Sequence, residues 1–143
     1  MELSKRDLER LQGVHPDLVR VVEIAAARTF MRWGVFEGLR SIEQQKKYFD
    51  AGRTLTMESR HLTGHAVDLV LLTPKGAFTW EPWKAYFELA PDVLEVASRL
   101  RIPLRWGGNF RKRDGRRWFD GAHFELDREF YPDQPAAAAA AVV

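Results

Sequence analysis

Apolar residues recur near the start of the chain at the spacing of an α-helix. Leu18, Val21, Val22 and Ala25 follow Pro16 at intervals of three and four, and Pro16 suits the first turn of a helix. They predict one buried stripe, a packing role and not a cofactor site. A shorter helix precedes it. Ser4 and Asp7 have the spacing of a capping box, Leu8 and Leu11 are expected on one apolar face, and Gly13 ends the element. Trp33–Glu37 reads as a strand stopped by Gly38, and Ser41 caps a third helix, IEQQKKYFDA, closed by Gly52.

The polar stretch RTLTMESRHLTG leads into AVDLVLL, which has the length and β-branching of a buried strand, and a turn with Pro74 follows. Residues 81–100 are helical in pattern, with an interruption expected at Pro91 because proline inside a helix costs about 3 kcal/mol. Two further strands, Pro103–Trp106 and Ala122–Leu126, can pair as a hairpin across a long basic loop. This order predicts an α+β fold: a small, largely antiparallel sheet with flanking helices. The length of 143 residues suits one domain, expected over residues 1–133, and the Ala-rich tail 134–143 is expected to be disordered.

Composition narrows the chemistry. There is no cysteine, which excludes disulfides, thiolate metal sites and cysteine nucleophiles, so any metal must be held by His, Asp and Glu. Only His15, His61, His65 and His123 are available as nitrogen ligands. A net charge of +2 does not demand a nucleic acid, although Arg111, Lys112, Arg113, Arg116 and Arg117 crowd one loop. That loop could contact phosphates, and such binding would weaken steeply with salt. A solvated loop is the commoner explanation, attraction to anionic wall or outer-membrane polymers lies between the two, and no specific nucleic-acid partner is expected. The N-terminus lacks the apolar region of a signal peptide and no apolar run reaches the ~20 residues of a membrane span. Cytoplasmic synthesis and a monomer are expected.

Two clusters carry candidate chemistry: SRHLTGHAVD at 59–68 and DGAHFE at 120–125. Each sets a histidine and an aspartate beside a strand. A catalytic zinc takes three such protein ligands and leaves one position open for water, and His61, Asp68 and His123 supply that set. His61 and His65 are four apart, but Leu62 stands where an HExxH helix needs glutamate, and Gly64 breaks any helix. If residues from Ala66 onward form a strand, Asp68 shares a face with Ala66 and Val70 while His65 points away, which sets His65 aside as a supporting or surface group. Taken singly, a hydrogen-bonded buried aspartate or a core histidine explains Asp68 or His123 as well as a metal does. Together, two polar exceptions in two apolar strands favour the metal on the sheet. Asp120, freed by Gly121 from the strand's alternation, can reach the reacting water as a general base. A turn-stabilising aspartate before glycine is its alternative.

These motifs resemble the SxHxxGxAxD and DxxHFE signatures of the D-Ala-D-Ala carboxypeptidase and L-alanyl-D-glutamate endopeptidase family, whose relatives include phage endolysins. The resemblance runs upstream to EGLRSIEQQKKYFDAG and downstream to IPLRWGGNF, covering roughly residues 14–127. It implies a Zn2+ site of His61, Asp68 and His123, with Asp120 as the catalytic base. Arg40 is implied as the arginine that binds substrate and polarises the scissile carbonyl, although sequence alone reads it as an exposed residue beside a helix cap. Ser59 matches the serine before the first ligand and is expected at the substrate, and Gln45 matches a commonly polar position. Ala122 and Asn109 depart from the proline and aspartate many relatives carry, which bears on loop stiffness and substrate preference. The implied activity is zinc-dependent hydrolysis of peptidoglycan stem peptides, foremost as an L-alanyl-D-glutamate endopeptidase acting as a phage endolysin that reaches the wall after release. D-Ala-D-Ala carboxypeptidase activity and a non-catalytic wall-binding module of the same fold are the alternatives.

Overall fold

A computed structural model describes residues 1–54 and 56–133, so the expectation for the 134–143 tail lies outside the described residues. The elements are α1 (Lys5–Arg10), α2 (Pro16–Arg28), β1 (Trp33–Glu37), α3 (Ile42–Asp50), β2 (Ala66–Leu72), β3 (Phe78–Thr79), α4 (Tyr86–Arg99), β4 (Leu104–Trp106) and β5 (His123–Leu126). Short 3₁₀ turns lie at Arg60–Thr63, Trp83–Ala85 and Gly107–Asn109. The sheet runs β1-β2-β5-β4, β3 pairs with the end of β2, and every pairing is antiparallel. The α+β expectation holds.

Strand alternation gives the sheet two unlike faces. Trp33, Val35, Val67, Leu69, Phe124, Leu126 and Trp106 fall on one of them and are buried in the main core with Leu18, Val21, Val22 and Ala25 of α2 and Leu89, Val93 and Val96 of α4. Glu37, Asp68, His123, Glu125 and Arg105 fall on the other. The period of two thus separates a dry side that holds the fold together from a polar side free for chemistry. Tyr86 ties α4 to the sheet: its hydroxyl accepts from Leu71 N (3.1 Å) and donates to the Thr79 carbonyl (2.9 Å).

Two expectations need correction, and one strand stands where the sequence pattern marks none. Leu11 is buried but Leu8 is exposed, because α1 turns Asp7 inward in its place. Pro91 does not interrupt α4. It sits on the exposed face, where a carbonyl that loses its helical donor can be hydrated. The two-residue strand β3, too short for a periodic signal, forms because the turn after Leu72 folds Phe78 and Thr79 back against β2.

Asp7 explains why α1 docks where it does. Its side chain completes the capping box with Ser4, accepting from Ser4 N at 2.8 Å while Ser4 Oγ accepts from Asp7 N at 3.1 Å. The other carboxylate oxygen accepts from Val35 N of β1 at 2.8 Å. One buried side chain therefore satisfies a helix end and a strand amide. Asp7→Ala should destabilise the protein by about 2–3 kcal/mol, since cap loss adds to a buried amide left without a partner. Urea denaturation measures this, and a loss below about 0.5 kcal/mol would show that the two bonds contribute little.

Candidate metal centre

The strand register assembles most of the site. Asp68 of β2 lies directly opposite His123 of β5 on one side and Glu37 of β1 on the other, so these three side chains share a row on the polar face. His61 arrives from outside the sheet, on the 3₁₀ turn before β2. Ser59 caps that turn, its hydroxyl accepting from His61 N at 3.2 Å. Gly64 closes the turn at φ +76°, where a Cβ would stand 2.3 Å from the Gly13 carbonyl oxygen, so no larger residue fits there unchanged. Arg40 N donates to the His61 carbonyl at 2.9 Å and anchors the turn from the opposite side.

The result is a convergence on one carboxylate oxygen. His61 Nε2 is 3.2 Å and His123 Nδ1 is 3.3 Å from Asp68 Oδ1, and donor atoms of all three residues lie within 4.8 Å of one another. The outer nitrogens are also engaged. His61 Nδ1 is 2.8 Å from the Gly38 carbonyl oxygen, which can only accept, so this nitrogen carries the proton and Nε2 turns its lone pair inward. His123 Nε2 faces Glu125 Oε1 at 2.9 Å, which likewise leaves Nδ1 to face Asp68. Two imidazole lone pairs and a carboxylate aimed at one point repel one another unless a cation lies between them. Oxygen and imidazole donors, each oriented by an outer hydrogen bond, are the donor set zinc takes in hydrolytic sites. The residues fit the metal.

The proton equilibria show the same demand for positive charge. Burial alone would raise Asp68, but the charges and hydrogen bonds of His61 and His123 hold it well below the usual carboxylate range. Burial would likewise lower His123, yet hydrogen bonds with Asp68 and Glu125 push it up to about 10. Without a metal, a proton serves as the counter-charge.

Asp120, Arg40 and Ser59 line the same cavity of about 650 Å³ as these three residues. Asp120 sits on the turn into β5, its carbonyl accepting from His123 N at 3.2 Å, and its carboxylate makes no hydrogen bond among the described residues. Burial, followed by the charge of Asp68, pushes the Asp120 carboxyl above its ordinary value. Arg40 is not the exposed arginine that sequence alone suggested. Its side chain is 9% exposed, Nε donates to Glu37 at 2.7 Å and Nη1 to Gln45 at 2.7 Å, and the guanidinium lies over Tyr48. Nη2 also pairs with Glu37 and comes within 3.8 Å of Asp68 Oδ2. Gln45, fully buried, is a brace between Arg40 and the Thr56 carbonyl. His65 lies elsewhere, bonded to Thr63 Oγ1 at 2.7 Å with its ring 5.6 Å from that of His15. It is buried and not on the surface.

Glu37, Tyr48, Gly38 and Glu125 were not anticipated as site residues. Glu125 had a local signal, since it stands two positions after His123 in a strand and must share its face. Glu37 had none. It reaches Asp68 through a register shift between Val35 and Glu37 that depends on the neighbouring strand.

The fold is one that a known peptidase shares. The sheet and helices superpose on the vancomycin-resistance D,D-dipeptidase VanXYg with a TM-score of 0.51, over 79% of this chain and 50% of that one. At 17% identity that likeness concerns the fold alone. The chain belongs to the phage L-alanyl-D-glutamate peptidase family, whose sequence model matches residues 1–127. It is 41% identical to the Serratia marcescens L-Ala D-Glu endopeptidase ChiX, with a TM-score of 0.80 over 93% of this chain and 95% of that one. It is also 28% identical, over 75% of its length, to the L-alanyl-D-glutamate peptidase of Listeria phage A118, and it spans 37% of that longer protein.

His65 yields a prediction that does not depend on a metal. Burial, then the charges of Arg60 and His15, lower it from 6.5 to about 4. The unfolded chain therefore binds a proton that the folded chain refuses between those values. This contribution to stability is complete above about pH 6.5 and is lost as pH falls towards 4. His65→Gln should show a shallower loss of stability between pH 7 and 4.5 than the wild type in urea titrations. Equal slopes would mean that His65 does not govern this range.

Proposed function

We propose that this chain is a metal-dependent endopeptidase that hydrolyses the L-alanyl–D-glutamate bond of peptidoglycan stem peptides. The observation that carries the reading is the convergence of His61, Asp68 and His123 in a cavity also lined by the raised carboxyl group of Asp120. The names of the family and of its Serratia and Listeria phage relatives support the choice of bond. The likeness to a D,D-dipeptidase at 17% identity concerns the fold and favours no D-Ala–D-Ala carboxypeptidase activity, against 41% identity to the endopeptidase. The phage origin named for the family and for the Listeria phage relative supports an endolysin acting on the wall after its release; among the described residues no helix is long and apolar enough to cross a membrane.

In this reading His61, Asp68 and His123 hold a zinc ion, which when bound polarises the amide carbonyl and acidifies the attacking water. Asp120 removes that water's proton and returns it to the departing amine. Its lack of a competing hydrogen bond and its raised affinity for protons suit both halves of the task. Arg40 offers its guanidinium to the carbonyl oxygen as negative charge develops there. Glu37, Gln45 and Tyr48 keep Arg40 extended, so little ordering remains to be done when substrate binds. Ser59 lines the same cavity near the substrate and fixes the turn that carries His61.

Digestion of purified peptidoglycan with and without a chelator, followed by mass spectrometry of the fragments, tests the reading. Chelator-sensitive release of peptides beginning at D-glutamate is the expected product, and the absence of any chelator-sensitive product would overturn it. Asp120→Ala should reduce kcat by about 10²–10⁴-fold while zinc content stays at the wild-type level. Full turnover in that variant would remove Asp120 from the mechanism.

A further inference from the structure

The cavity is lined by more arginines than the proposed chemistry uses. Arg40 is held by Glu37 and Gln45, and Arg60 by Asp133 and the carbonyls of Leu126 and Tyr131. Arg111 donates to the Gly115 carbonyl and Arg128 to the Glu58 carbonyl. Arg105 differs. Among the described residues its guanidinium makes no hydrogen bond or ion pair, and it lies over the Phe110 ring, 5.2 Å from the centroid. Phe110 in turn lies 5.4 Å from the ring of His123, so a single aromatic side chain separates this cation from a candidate metal ligand.

Strand register fixes the direction of Arg105. It stands directly opposite Glu125, two positions from His123 on β5, and therefore projects on the face that bears the metal centre. Glu125 makes no ion pair with it: that carboxylate is engaged by His123 Nε2 at 2.9 Å, and the charge of Arg105 acts on it only at longer range. Arg53, which also borders the cavity, stands on the loop after α3 and not on the sheet. Arg105 is thus an exposed cation with no hydrogen-bonded partner among the described residues, at the edge of the cavity that holds the candidate metal centre.

The chemistry of a glutamyl residue gives this cation a target. Whichever of its two carboxyl groups continues the peptide, the other remains a free carboxylate. When the alanyl–glutamyl amide is cut, that carboxylate belongs to the departing amine, only two to four bonds from its nitrogen. Standard bond lengths then put it within roughly 5 Å of the cleaved bond, inside the reach of a long side chain at the pocket edge. We propose that Arg105 is a specificity-determining residue whose guanidinium binds the free carboxylate of the acidic residue on the amine side of the cleaved bond. The inference rests on the endopeptidase reading above and adds a reason for the enzyme to require an acid there. A guanidinium presents paired donors that match a carboxylate, which lysine does only as a point charge.

Two synthetic substrates separate the possibilities: an L-Ala–D-Glu stem peptide, and the same peptide with its free glutamyl carboxylate converted to the amide. Wild type should prefer the acid by about 10- to 100-fold in kcat/KM, the range of a charge-assisted hydrogen bond. Arg105→Ala should lose that preference mainly through KM, and Arg105→Lys should recover part of it. An undiminished preference in Arg105→Ala would overturn the assignment. So would a wild type that cleaves both peptides equally. Cleavage of neither peptide by the wild-type chain would overturn the endopeptidase reading itself, and this inference with it.

Discussion

Everything around the centre follows from a single electrostatic demand. The Asp68 carboxylate is held against two imidazoles whose outer nitrogens are already committed, one to the Gly38 carbonyl and one to Glu125. An arrangement of inward-facing donors in a buried setting is stable only with positive charge at its middle. Neighbouring features answer that demand at a distance. Arg40 approaches Asp68 from one side, and Asp120, a further carboxyl beside it, becomes reluctant to ionise. The shifts of Asp68, His123 and Asp120 are three consequences of one crowded charge distribution.

The fold meets this demand with parts of unequal rigidity. Asp68, His123, Glu125 and Glu37 are set by strand register, and the opposite face of those strands is the dry core against α2 and α4. Moving any one of them requires moving the sheet. His61 stands on a turn and is stabilised by local devices: the Ser59 cap, the Gly64 reversal and the amide of Arg40. Arg60, beside it, is buried and donates to the Leu126 carbonyl at the end of β5 and to the Tyr131 carbonyl beyond it, so the chain's return over the turn braces the candidate ligand that the sheet does not carry.

Local patterns made most of this architecture readable. The length and β-branching of residues 66–72 located β2, strand parity turned Asp68 to the face opposite Val67 and Leu69, and serine caps located α1 and α3. The spacing of the two motifs marked the residues that meet, because their neighbours in strands obey a period of two. Features that depend on distant partners were not readable. Arg40 looked exposed because Glu37, Gln45 and Tyr48 surround it only after β1 bulges and α3 packs. Leu8 reads as sharing an apolar face with Leu11 because nothing local says that Asp7 finds the Val35 amide. Pro91 was given the usual cost of a helix proline, which its exposed position reduces.

The central claim is that the His61–Asp68–His123 arrangement exists to hold a metal ion. Calorimetric titration of metal-free protein with zinc tests it most directly, repeated on His123→Ala with circular dichroism to verify its fold. The account predicts one zinc ion per wild-type chain and at least a 100-fold weaker affinity in the folded variant. Failure of the wild type to bind zinc, or equal binding by the variant, would contradict it.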